Sequence, residues 1–345
     1  RLIRFVNTCV GHRRGGIAIV CVIVACFFGA ISGSGPATVA ALGAVLIPAM
    51  IEQGGFSAPF SAALMATASS IAIVIPPSIA FVVYASITGV SIADMFTAGI
   101  VPGILMGVAL VIVVMIEARK NNIQSSQKRA SGKERWEAFK DAFWGLLMPV
   151  IILGGIYGGI FTPTEAAAVS VIYSIIVGCV IYRELDLKKL IQCTKNACET
   201  TASILIVIGC AAGFSKVLTL GRIPTTVASA MMSLTDSKIV ILLLINVLLL
   251  IVGCFMETLC AIMILAPILY PVVTAMGVDV THFGIIMVVN LAIGFITPPL
   301  GVNLFVASRV GETTLDTVIK GIIPFLILMI VTLLCITYIP AISMF

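Results

Sequence analysis

The sequence predicts an all-α integral membrane protein made of two inverted repeats, each with a re-entrant helical hairpin and a helix broken at a Pro-Pro pair. Three observations predict this. The chain is 60% hydrophobic and 10% charged, with a mean hydropathy of +1.21, whereas soluble domains carry about 25% charged residues. Its apolar runs are about 15–25 residues long, which suits helical spans and not the ten-residue alternating segments of a membrane barrel. A stretch of the first third also recurs near the C-terminus.

Composition excludes other classes. The ten Cys include no CxxC pair, and His12 and His282 lie far from any Cys cluster, so neither a zinc site nor a disulfide framework is expected. Free Cys packs as a small apolar residue. The net charge of +5 is no nucleic-acid footprint. It gathers in "RLIRFVNTCVGHRRGG" (1–16), "EARKNNIQSSQKRASGKERWEAFK" (117–140) and "YRELDLKKLIQCTK" (182–195). By the positive-inside rule these segments face the cytoplasm. Arg1 is no initiator and no signal peptide is visible, so the chain reads as a fragment or a processed product.

Apolar segments fall at 17–50, 57–89, 99–116, 144–161, 165–182, 199–215, 239–273, 283–308 and 320–339. Residues 1–118 form the first repeat, 119–143 a basic loop with an arm helix, and 144–345 the second repeat. The hairpin at 17–50 has about 15 apolar residues on each side of "SGSGP"; at 1.5 Å per residue each arm reaches roughly 22 Å, short of a roughly 30 Å core. Two such arms enter and leave on one face. The segment at 239–273 has the same form around "GCFMET" (253–258). The broken helices at 57–89 and 283–308 contain "IPPS" and "TPPLGVN". Proline lacks an N–H, so Pro76 and Pro77 free the carbonyls of Ala72 and Ile73, and Pro298 and Pro299 free those of Gly294 and Phe295. Lipid cannot satisfy these carbonyls; protein, water or an ion must. A mere kink is the plainer reading of each Pro pair, and a shallow flexible loop that of Ser32–Pro36. At 165–182 the start is Thr162 as N-cap, Pro163, and Glu165 closing a capping box. Asp94 and Asp316 follow Ser91 and Thr313 at capping spacing.

A shift of 222 residues lays 76–102 on 298–324 without a gap, with nine of 27 positions identical, both Pro pairs among them. It also lays Ser32 on Cys254 and Pro36 on Thr258. The second repeat begins near 144, so roughly 80 residues of the first, two or three spans, are expected to precede Arg1. Five crossings separate the hairpins, which puts them on opposite faces. Inverted repeats with broken helices point to a secondary transporter with its site at the midplane. Each tip offers spare carbonyls suited to a cation and free N–H groups suited to an anion. Carbonyls with the hydroxyls of Ser32, Ser34, Thr38, Ser78, Thr258 or Thr297 suit a hard monovalent cation, sodium before others. Glu257 reads equally as an acid near a half-helix N-terminus or as an ion ligand.

At "GAISGSGPATVAALGAVLIPAM", "GGIFTPTEAAAVSVIYS", "METLCAIMILAPILYPV" and "ITPPLGVNLFVAS" the chain resembles the large membrane subunit of tripartite ATP-independent periplasmic (TRAP) transporters, members of the ion-transporter superfamily. The resemblance covers essentially the whole chain. It implies an elevator-type carrier in the bacterial inner membrane that is no enzyme. Such a carrier imports organic acids, sialic acid and C4-dicarboxylates among them, on a sodium gradient, with no cofactor beyond that coupling ion. It implies two partners, a small four-helix membrane subunit and a soluble periplasmic substrate-binding protein. One sodium site would take Ser32, Gly33, Ser34 and Gly35 with Ala72, Ile75 and Pro77. The other would take Gly253, Cys254, Met256 and Glu257 with Gly294, Thr297 and Pro299. The anionic substrate would lie near Ser34, Pro36, Thr38, Ser78, Thr258, Gly301 and Asn303. A stand-alone sodium/carboxylate carrier of the same superfamily is the alternative. An ion channel is disfavoured by paired hairpins in one chain, and an intramembrane enzyme by the lack of a catalytic cluster. Ser34→Ala is expected to weaken substrate binding; a titration with unchanged affinity removes Ser34 from the site.

Overall fold

The computed structural model describes residues 1–124, 129–235 and 237–344. Residues 125–128 of the second basic segment, Lys128 included, lie outside the described residues. Eight of the described helices are long and apolar enough to cross a membrane. The chain opens with α1 (Leu2–Val10), α2 (Gly16–Ser32), α3 (Gly35–Glu52), α4 (Ala58–Ser70), α5 (Ile79–Thr88) and α6 (Ile92–Lys120). The middle holds α7 (Gly132–Tyr157), α8 (Pro163–Ile176), α9 (Leu187–Leu220) and α10 (Ile223–Leu234). The last third repeats the first as α11 (Lys238–Phe255), α12 (Thr258–Ala275), α13 (Val280–Gly294), α14 (Val302–Val310) and α15 (Leu315–Tyr338).

Local chemistry explains where helices start. The Thr162 hydroxyl accepts the Glu165 N–H at 3.3 Å while the Glu165 carboxylate accepts the Thr162 N–H at 2.8 Å, a closed capping box. Ser91 caps α6 through the Asp94 N–H. The matching cap of α15 is Thr314, which accepts the Thr317 N–H, and not the expected Thr313. The starts of α6 and α15 are therefore offset by one residue more than the ungapped alignment, while Gly89 and Gly311, which close α5 and α14, stay in its register.

The arm helix expected within 119–143 starts at Gly132, because Ser131 and Glu134 form a capping box ahead of good helix formers, and it runs on unbroken into the span. Two stretches fold differently from the sequence reading. The segments outside the apolar runs at 2–10 and 223–234 are helices α1 and α10. Both are short, and short helices owe their stability to packing, which sequence does not display. Here α1 packs on α2 and α7, and α10 on α12. Arg1 lies 2.6 Å from Glu184 and 3.4 Å from Asp141, so the three basic segments meet at one end of the molecule.

The halves interlock. The first helix after each Pro pair packs on the other half's second hairpin arm, α5 on α12 and α14 on α3. The Tyr84 hydroxyl in α5 donates to the Val280 carbonyl of α13 at 2.8 Å. The centre is α4 and α13, buried at every residue over 60–70 and 282–294. By contrast, α7 to α9 keep long apolar faces exposed, as suits helices in lipid or under a further partner.

Each hairpin meets its broken helix backbone to backbone. A Cβ on Gly29 would stand 2.5 Å from the Ala72 Cα, and one on Gly294 would stand 2.4 Å from the Gly253 carbonyl carbon. Ala72 and Gly294 are equivalent in the 222-residue repeat. Only a missing side chain permits such an approach. Gly294→Ala is therefore expected to lower stability by about 1–3 kcal/mol. Gly209→Ala, inside α9 with open space around the new Cβ, should instead raise it by about 0.5–1 kcal/mol. Thermal unfolding of both variants in detergent checks this.

Candidate functional site

The first tip is built by a left-handed residue and a proline. α2 ends at Gly33 (φ 62°), whose N–H returns to the Gly29 carbonyl at 2.7 Å. α3 then starts from extended Ser34, with Pro36 in its first turn. The Ser34 side chain does not cap, so the Gly35 and Ala37 N–H groups find no acceptor among the described residues. The Ser32 hydroxyl lies 3.0 Å from the Thr38 hydroxyl, and Thr38 donates to the Ser34 carbonyl at 2.8 Å.

The second tip is capped. Glu257 holds the N-cap position of α12, and its carboxylate accepts the N–H groups of Leu259 at 2.7 Å and Cys260 at 3.3 Å. Of the two readings of Glu257, the geometry displays the cap. Cys254 donates its thiol to the Thr297 carbonyl at 3.0 Å, which fastens this tip to its break. The Thr258 hydroxyl, one residue after Glu257, is buried without a partner among the described residues.

The Pro pairs, each joined by a cis bond, free fewer carbonyls than expected. Ser78 donates its hydroxyl to Ile73, Thr297 its N–H to Gly294 at 3.0 Å, and Asn303 its N–H to Phe295 at 3.1 Å. Among the described residues the Ala72 carbonyl alone of the four receives no donor. The breaks thus satisfy most of their own backbone, although each carbonyl keeps a second lone pair.

Both tips and both breaks open on one cavity of about 620 Å³. Ser32 to Ala37 line it from the first tip and Glu257 to Cys260 from the second. Ile73 and Phe295 reach it from the breaks. Of the residues expected around a substrate, Ser34, Pro36 and Thr258 line it. Thr38, Ser78, Gly301 and Asn303 are buried and do not line it. Asn303 is fully buried, donates to the Ala66 carbonyl at 3.1 Å and packs against Gly35 of the first tip. Of the residues expected around sodium, Ser32 to Gly35 and Glu257 line the cavity. Ala72, Ile75, Pro77, Gly253, Cys254, Met256, Gly294, Thr297 and Pro299 do not line it; among them Gly253 meets Gly294 and Cys254 meets Thr297, tip against break.

Two features escaped the sequence reading. Thr200, Ser203, Ile204 and Val207 of α9, which packs on α12, also line the cavity. Their spacing of three, four and seven places them on one helical face, and two hydroxyls one turn apart in an apolar span were the available signal. The second is a buried seam. Asn290 of α13 donates to Asn246 of α11 at 2.8 Å, and Asn246 donates to Thr337 of α15 at 3.1 Å. This seam fixes how α11 and α13 lie along each other, and so where Gly253 and Cys254 meet Gly294 and Thr297. An Asn in each of two apolar helices was its trace.

Residues 1–342 match the family described as "Tripartite ATP-independent periplasmic transporter, DctM component". The chain is 49% identical over its whole length to an isethionate TRAP transporter permease protein of Oleidesulfovibrio alaskensis, and spans 54% of that protein. It is 45% identical to a C4-dicarboxylate TRAP transporter large permease protein of Pseudomonas aeruginosa, matching all of this chain and 80% of that protein. To a sialic acid TRAP transporter large permease protein of Vibrio cholerae it is 36% identical, over 99% of this chain and 79% of the other.

The seam makes a stability prediction. Asn290→Leu leaves the Asn246 carbonyl oxygen buried without its donor and is expected to cost about 1–3 kcal/mol. Adding Asn246→Leu removes the orphaned group, so the pair should cost less than the sum of the single changes, with a coupling on the order of 1 kcal/mol. A double-mutant cycle by thermal unfolding measures it.

Proposed function

The chain belongs to the DctM family of tripartite ATP-independent periplasmic transporters, and from that premise we propose that it carries an organic anion across the bacterial inner membrane on a sodium gradient. The family is one of transporter permeases, not enzymes, and belongs to the inner membrane, which suits eight helices able to span it. The observation that carries the proposal is the single cavity onto which both helix interruptions open. The free N–H groups of α3 favour an anion there. Carbonyls and hydroxyls around the tips and breaks suit sodium, which takes oxygen ligands without needing a titratable group. The first cation set is Ser32 to Gly35 with Ala72, Ile75 and Pro77; the second is Gly253, Cys254, Met256 and Glu257 with Gly294, Thr297 and Pro299.

The hairpins and broken helices move as one body in this proposal, since the exchange of α5 and α14 leaves neither half free to shift alone. The exposed faces of α7 to α9 meet lipid and a small membrane subunit, and a periplasmic binding protein delivers the substrate. The named relatives handle isethionate, a C4-dicarboxylate and sialic acid; all three are acids ionised at neutral pH.

The test is uptake into liposomes holding the complete permease. Accumulation should require an inward sodium gradient and the binding protein; uptake without the latter would indicate the stand-alone carrier. Pro77→Ala and Pro299→Ala each restore a helical N–H at a break. Each is expected to raise the half-saturating sodium concentration about tenfold, the equivalent of roughly 1.4 kcal/mol, with less effect on melting temperature. Unchanged sodium activation in both variants would refute the assignment of the breaks to sodium.

A further inference from the structure

We propose that the cleft between α2 and α7 is a site for an anionic phospholipid, with one acyl chain in the cleft and the phosphate headgroup on the basic residues at its mouth. The site is separate from the cavity at the tips and does not depend on what that cavity carries. Three features lead to it.

The first is the shape and lining of the cleft. Its volume is about 200 Å³, below the roughly 300–1,000 Å³ of small-molecule sites. Ala142, Gly145, Leu146 and Pro149 line it from α7 and fall on one helical face. Phe27, Phe28 and Ile31 line it from α2. A Cβ on Gly145 would meet nothing within 4 Å, so no neighbouring side chain fills this strip. Phe27 and Ile31 stay 43% and 41% exposed. An apolar cleft on a membrane-spanning helix takes hydrocarbon and not water.

The second is the level at which the cleft opens. Its two polar lining residues, Arg1 and Tyr182, both reach Asp141. Asp141 is the last charged residue of α7 before the apolar stretch that begins at Ala142. Trp136 and Trp144 stand exposed on either side of it, and Trp and Tyr favour headgroup depth. From this border the lining continues to Ile31, which adjoins Ser32 of the first tip.

The third is charge. Arg1 lies 3.6 Å over the Tyr182 ring and pairs with Glu184 and Asp141. Arg4, Lys140 and Arg183 stand nearby in sequence, exposed and outside any ion pair among the described residues. Four cations against two acids leave two positive charges at the mouth. The next charges, Glu137 and Asp186 against Lys188 and Lys189, balance. Basic residues flanking a span attract anionic headgroups; a zwitterionic headgroup carries no net charge to match. A chain held in the cleft packs α7 against the hairpin arm that carries the first tip, where the protein itself leaves a gap.

The test is native mass spectrometry of the purified, complete permease titrated with dioleoyl phosphatidylglycerol, dioleoyl phosphatidylcholine or glycerol phosphate. Phosphatidylglycerol should be retained at about tenfold lower concentration than phosphatidylcholine. Glycerol phosphate, a headgroup without chains, should neither bind in that range nor compete. Gly145→Leu fills the cleft and should weaken phosphatidylglycerol at least about tenfold. Gly154→Leu, exposed on the far face of α7 with open space around it, should leave retention unchanged. Lys140→Gln with Arg183→Gln should bring the two lipids to within about twofold of each other. In the unaltered protein, phosphatidylglycerol with a diazirine in its acyl chain should label residues 27–31 and 142–149. Excess phosphatidylglycerol should suppress that labelling and equal phosphatidylcholine should not. Equal retention of the two lipids overturns the proposal, as does a preference that survives Gly145→Leu. Competition by glycerol phosphate would reveal a bare phosphate site and overturn the acyl-chain assignment. Labelling confined to other segments overturns it without any variant.

Discussion

A backbone carbonyl or N–H that has lost its helical partner cannot face hydrocarbon, and this chain interrupts its backbone four times within apolar segments. That constraint accounts for much of the architecture. Each interruption needs cover, and each half draws on the other to provide it. α14, from the second half, lies across α3 and brings Asn303 against Gly35 at the first tip. α5, from the first half, lies across α12 below the second tip. The exchange hides the breaks from lipid and also brings all four to one place. A chamber between them follows from the need to bury them together.

The same constraint explains the two central helices. α4 and α13 each lead into a Pro-Pro break and are buried on every side. An all-round apolar helix would suit lipid equally well, so its central position comes from the break it carries. Close packing then sets the distances. Gly29 against Ala72 and Gly253 against Gly294 bring hairpin and broken helix into backbone contact. In the second half the Cys254 thiol reaches the Thr297 carbonyl across that contact.

How much of this was legible in the sequence follows from what the signal was made of. The tips and breaks were readable because Gly, Pro and Ser stand out against Leu and Ile, and because the pattern occurs twice. The breaks' own hydrogen bonds were not readable. That Ser78 turns back to Ile73, or that Asn303 reaches Phe295, depends on how the chain leaves the proline, which residue type does not fix. Asn303, a substrate contact by resemblance, is outside the cavity lining in this structure, its amide drawn to the Ala66 carbonyl of another helix. The α9 wall was hidden for a related reason. Its two hydroxyls are ordinary in a membrane helix, and only tertiary packing gives them a cavity to face. Helices α1 and α10 lack the length that made the other spans visible.

Repetition at the level of fold leaves the two tips chemically unlike. Ser34 and Glu257 hold the same N-cap position in the two halves, yet one leaves its helix end open and the other closes it with a carboxylate. The open end of α3 is a net positive pole. At the α12 end, the carboxylate offsets the helix's own field. The potential across the cavity therefore falls from the first tip toward the second. Two sequence-related tips thus need not bind alike: an inverted repeat supplies two frames, and single substitutions at the N-cap give those frames opposite polarity.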